Sequence, residues 1–278
     1  MKTQKENIEF FNKHNYLLIK EFLPRNLADF LYHYGKTYVM AADVMVQTKF
    51  PRYNEELHGA FGDQQVPNTF KRYGDPVMDA LLLYAQKGME KNSGMKLQPT
   101  YSYWRLYKNG DILRRHKDRP SCEISTTLCL GYDISNMENK DYNWPMFVEE
   151  TGSYKGLPGK PVHMEPGDMI IYKGALIDHW REPFEGRNHC QVFLHYNNLE
   201  GPYGEITKYD TRPFVALPGD FVNIERRKKI KAIHDDIVDS RLKKESINPE
   251  DYGHRKYGPN GEEYKDVLNG GDSKDKKS

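Results

Sequence analysis

Residues 101–118 read YSYWRLYKNGDILRRHKD, and the fold is decided there. Tyr101, Tyr103, Arg105 and Tyr107 alternate with Ser102, Trp104 and Leu106, so the two sets project to opposite faces of a half-buried strand. Asn109-Gly110 is a hairpin signal. Beyond it, His116 and Asp118 stand two apart on an extended segment, which points both side chains the same way and lets both touch one ion.

Downstream, further strand-like runs are Ile124–Leu130, Trp144–Val148, Met169–Tyr172 and His189–Tyr196, separated by turn-rich stretches such as SNMENKDYN, GSYKGLPGK and EPGD. Short strands at this spacing predict an antiparallel sandwich or barrel. Upstream, the first hundred residues read as helical with short strands, YLLI at 16–19 among them. Leu27, Phe30, Leu31 and Tyr34 predict a helix face turned to the sheet, entered through Pro24 and Asn26. Asp75 and Pro76 open a second helix, with Val77, Leu81 and Tyr84 beside Met78, Leu82 and Ala85 as its buried stripe and Asn92 and Gly94 at its end. Between the helices, HGAFGDQQVPNTF at 58–70 is polar and turn-rich, a loop that can overhang a site.

A second histidine, His179, follows the apolar run MIIY and precedes a turn. Two imidazoles and one carboxylate leave about three coordination positions open, which suits non-heme Fe(II) binding an oxidant and a cosubstrate. His189 and His195 are alternative ligands to His179, though both sit inside the last strand. Arg119 and Glu123 flank the pair, as substrate contacts or as a local ion pair, and Cys122 reads as a small packed side chain.

The run YKNGDILRRHKD resembles the Y-x-x-G-x-x-x-x-x-H-x-D segment of the prolyl 4-hydroxylase-like 2-oxoglutarate/Fe(II)-dependent oxygenases, and EPGDMIIYKGALIDHWREPFEGRNHCQVFLHY resembles their later P-G-D turn, distal histidine and final strand. The likeness spans about residues 15–200, with the diagnostic motifs in its second half. It implies a mainly β chain with flanking helices: a double-stranded β-helix (jelly-roll) core braced by N-terminal helices. It also implies Fe(II) on His116, Asp118 and His179, with 2-oxoglutarate and O2 consumed and succinate and CO2 released as a C–H bond is hydroxylated. The cosubstrate's distal carboxylate then needs a fixed cation, for which a guanidinium fork is suited. The family's basic residue stands ten positions after the distal histidine. Here that position is His189 and Arg187 stands at plus eight; the shortened turn EPFEGRN lets Arg187 serve, so Arg187 ranks first, with His189, Arg181 and Arg105 as further candidates to hold the cosubstrate. Tyr107 matches the family tyrosine and can donate its phenolic proton to the same carboxylate.

The composition excludes several other classes. Lys and Arg number 41 against 40 Asp and Glu, a net charge of +1 that offers no field for nucleic acid or an anionic membrane. Three scattered cysteines fit no disulfide framework, and no signal-peptide or membrane-length apolar run occurs, so a soluble, cytoplasmic protein is expected. Tyr101, Tyr103 and Arg105 suit a small polar substrate, and the resemblance implies a peptidyl or free amino-acid side chain. The division expected is an oxygenase domain at 1–200 (helical support 1–99, β-helix core 100–198), a C-terminal helical extension at 201–264 and a disordered tail at 265–278. Two rival readings remain at this level: a cupin-like metal enzyme that does not use 2-oxoglutarate, and an inactive binding module on the same fold.

Overall fold

The computed structural model describes residues 3–248. The tail expected at 265–278 and the end of the extension lie outside the described residues. The chain opens with α1 (Gln4–His14), β1 (Tyr16–Ile19) and α2 (Arg25–Gln47), followed by the short elements α3 (Glu55–His58), β2 (Ala60–Phe61) and β3 (Phe70–Tyr73). After α4 (Pro76–Ser93) come β4 (Leu97–Lys108), β5 (Leu113–His116), β6 (Ile124–Asp133), β7 (Met146–Val148), β8 (Lys160–Val162), β9 (Met169–Tyr172), β10 (His179–Arg181) and β11 (Asn188–Asn198), and α5 (Ile224–Lys244) closes the described chain. No helix is long and apolar enough to cross a membrane.

The strands form a seven-stranded sheet in the order β1-β9-β6-β11-β4-β3-β2 and a four-stranded sheet in the order β5-β10-β7-β8, every pairing antiparallel. This is the double-stranded β-helix expected. Asn109-Gly110 makes no hairpin, because β5 pairs with β10 rather than with β4. Asp111 directs the exit: its carboxylate accepts from the Lys108 N–H at 2.7 Å and the Thr69 hydroxyl at 2.5 Å, so the turn carries the chain from the large sheet to the small one.

The outward face of the large sheet, Trp104, Leu128, Leu130, Val192 and Leu194, packs on Leu31 and Ala42 of α2 and on Met78, Leu82, Ala85 and Met89 of α4. Gly35 allows α2 this close, since a Cβ there would lie 2.9 Å from Cys190 Sγ. Asp75 caps α4, accepting from the N–H groups of Val77 and Met78, and Gly94 ends the helix in the left-handed conformation. The expected stripes are rotated by about one residue: Phe30 is 63% exposed and Tyr84 64%, while Ala28, Gly35 and Met89 are inside. Small residues nearest the sheet set the contact, and the aromatic rings are displaced to the rim. In α5, Ile230, His234, Val238 and Leu242 are buried, and Val238 and Leu242 pack on Tyr154.

Candidate metal centre and its pocket

The inward faces of the two sheets enclose the polar residues. His179 on β10 pairs directly with His116 on β5, their rings 4.2 Å apart. Each Nε2 lies 3.5 Å from Asp118 Oδ1. Nδ1 of His116 donates to the Arg114 carbonyl at 2.7 Å and Nδ1 of His179 to the Ile177 carbonyl at 3.2 Å. A carbonyl can only accept, so Nδ1 carries a proton in both rings, and in the neutral tautomer Nε2 is then the lone-pair atom on the Asp118 side. Burial alone pushes the Asp118 carboxyl up, but His179 and His116 outweigh it and hold the group well below the usual carboxylate range. Burial and the neighbouring His116 push the His179 imidazole down. At neutral pH Asp118 is therefore a carboxylate and the His179 ring is driven towards its neutral form, the states in which each can bind a metal.

The second carboxylate oxygen is engaged elsewhere. Ser125 Oγ donates to Asp118 Oδ2 at 3.0 Å and lies 2.8 Å from His195 Nδ1. This leaves Oδ1 for an ion. Cys122 and His195 also come near Asp118. Burial and Asp118 raise the Cys122 thiol well above its ordinary range, however, so it stays protonated and is a poor ligand.

Arg181, two residues after His179, shares its inward face and stacks over Trp144 with its guanidinium carbon 4.7 Å from the ring centre. Nη1 donates to the Trp144 carbonyl, whereas Nε and Nη2 are buried without a partner among the described residues. Burial pushes the guanidinium down to about 10, so it is cationic at neutral pH. Tyr107 and His189 face each other across β4 and β11, and the phenolic oxygen of one and Nδ1 of the other also lack partners. Burial and Arg181 drive the His189 imidazole well below its ordinary range, so it is neutral. Arg105 is held by Asp63 and Gln65 of the loop before β3.

Arg187, ranked first from spacing, is exposed. It precedes β11 in a turn whose N–H at that residue bonds the Asp133 carbonyl at 2.8 Å, and the inward parity of the strand begins at His189. Sequence reasoning passed over Ser125 and Gln191, although Gln191 shares the strand parity of His189.

No family model and no curated protein sequence matches the chain. Solved structures do. The non-heme α-ketoglutarate-dependent epimerase SnoN from nogalamycin biosynthesis superposes with a TM-score of 0.51 at 10% identity, covering 70% of this chain and 82% of that one. EctD from S. alaskensis superposes at 0.50 with 16% identity, covering 73% and 81%, and its form with bound Fe gives 0.50, 15%, 71% and 77%. The chain has the fold of the 2-oxoglutarate/Fe(II)-dependent oxygenases.

On this oxygenase fold, the segment after β11 returns to the His116–Asp118–His179 cluster. Arg119, one residue past Asp118, makes two 2.7 Å bonds to Asp210 and stacks over Tyr101 at 4.4 Å. Arg119 therefore forms an ion pair, but with a residue far along the chain rather than a local one. Glu123 accepts from Asn197 and from the Asn198 N–H, and so anchors the end of β11.

Proposed function

We propose that the protein is an Fe(II)- and 2-oxoglutarate-dependent oxygenase that hydroxylates a C–H bond of a peptidyl or small-molecule, amino-acid-like substrate. The observation that carries this reading is the convergence of two Nε2 lone pairs and Asp118 Oδ1 on one point, each imidazole locked in the ligating tautomer by a backbone carbonyl. Such a donor set repels itself unless a cation sits within it. EctD, of like fold, holds Fe in one of its structures.

His116, Asp118 and His179 would hold the metal. Iron(II) with 2-oxoglutarate and O2 supplies the oxidation, with succinate and CO2 as products. The protein's residues do the rest. Ser125 fixes the spare oxygen of Asp118 and keeps that ligand monodentate. Arg181 offers Nε and Nη2, and Tyr107 its hydroxyl, to the distal carboxylate of the cosubstrate, which satisfies three buried donors at once. His189, being neutral, flanks the carboxylate without adding charge. Trp144, Phe184 and Tyr107 wall this end against water.

Iron-replete protein given 2-oxoglutarate and O2 should form succinate even without a primary substrate, and Arg181→Met should abolish it. Consumption of O2 without succinate would sink the proposal.

A further inference from the structure

One pleat along β11 from His189, Gln191 lies directly opposite Arg105 of β4 on the inward face. Gln191 is 0% exposed and Arg105 1%. Arg105 Nη2 is taken by Asp63 at 2.5 Å and Gln65 at 2.9 Å, but Nη1 has no partner, and neither Oε1 nor Nε2 of Gln191 has one among the described residues. Buried amides are almost always bonded, so an amide with both ends idle beside an idle donor marks a place for a ligand.

We infer that Arg105 and Gln191 form a substrate subsite for an amide group, a peptide bond or a carboxamide, beside the cosubstrate; this assignment rests on the oxygenase reading. A carboxamide carbonyl, with two lone pairs, accepts from Arg105 Nη1 and Gln191 Nε2 while its N–H donates to Gln191 Oε1, which satisfies all three idle atoms. A carboxylate has no proton for Oε1 and leaves it unpaired; an ammonium has no acceptor for Arg105 and sets a charge beside it. Asp63 already neutralises Arg105, so the subsite asks for a neutral group. The loop that carries Asp63 and Gln65 also packs Val66 in the cluster with Tyr107, closing over this point.

Saturation-transfer NMR on protein loaded with Zn(II) and 2-oxoglutarate, using benzamide and its isostere benzoate as probes, tests the assignment. Benzamide should show transfer, benzoate none, and Gln191→Leu should lose the benzamide signal. The same variant should melt no lower than the unaltered protein, since no internal bond is removed, and should keep the visible band of the anaerobic Fe(II)–2-oxoglutarate complex. Equal transfer from benzoate, a lower melting point of Gln191→Leu, or loss of its band would overturn the assignment: the amide would then be a carboxylate, structural or cosubstrate contact. A band in the unaltered protein without benzamide transfer overturns the subsite alone. Absence of the band overturns the oxygenase reading and the subsite with it.

Discussion

The Asp118 carboxylate occupies the space that a side chain on Gly174 would need: a Cβ there would lie 2.3 Å from Oδ2, 2.6 Å from the Cys122 carbonyl and 2.8 Å from Ser125 Oγ. The Asp118 N–H donates to the Gly174 carbonyl at 2.9 Å, so the glycine positions the backbone and leaves room for the carboxylate. Gly174→Ala should push the carboxylate off the meeting point and lower metal affinity about 10–100-fold, the range seen for groups that orient ligands. Anaerobic Co(II) titration measures it; unchanged affinity would remove Asp118 from the ligand set.

Arg181 and Arg187 should behave as opposites. Arg181→Met removes two unpaired buried donors and should weaken 2-oxoglutarate binding by at least about 100-fold, given the strength of charge-assisted bonds. The ligand-free variant should be as stable as the parent or more so, because a poorly satisfied buried cation has gone. Arg187→Ala, at an exposed position, should bind the cosubstrate normally. Calorimetric titration distinguishes them, and a reversed order would reinstate the spacing argument.

The segment after β11 and helix α5 are tied through Asp210 to Arg119, next to Asp118. Tyr209, Asp210 and Thr211 are three successive residues at positive φ (50°, 56° and 68°), a strained run that the bonds from Arg119, Arg227 and Tyr73 to Asp210 hold in place. Asp210→Asn keeps the shape and tolerates the left-handed backbone but strands the Arg119 charge. Because Arg119 and Arg227 are each partly exposed, it should cost about 1–3 kcal/mol in urea unfolding, the range for lost charged hydrogen bonds. A cost near zero would show that the segment is dispensable.

Why the His116–Asp118–His179 cluster was legible and the surroundings of Arg181 were not follows from these residues. His116 and Asp118 are read from one strand parity, and His179 from its place after an apolar run, so local pattern suffices. Arg181 was among the candidates, yet its standing depends on which sheet β10 joins and on Trp144 beneath it, a pairing with no sequence signature. Arg187 was favoured by counting along the chain, and a turn places it on the surface. Phe30 and Tyr84 fit a helical stripe by period alone, but the fit of Gly35 against Cys190 chose the rotation. The pairing of Arg119 with Asp210 spans the chain and was invisible to any local motif.

The metal-free protein should lose stability as pH falls. His195, pushed down to about 4 by burial, and His189, driven well below its ordinary value by burial and Arg181, bind fewer protons folded than unfolded below the unfolded imidazole value of about 6.5. Stability from them is present above about pH 6.5 and is drained below it, by at most about 1.4 kcal/mol per pH unit for each ring. Melting curves from pH 7 to pH 5 should fall, and His195→Asn should flatten the slope. A flat parent profile would mean that these rings are not held neutral.

Anaerobic addition of 2-oxoglutarate to the Fe(II)-loaded protein tests the central claim most directly. A visible charge-transfer band should appear, vanish in His116→Ala and persist in His189→Ala. Absence of any band in the unaltered protein, with iron shown to be bound, would contradict the account.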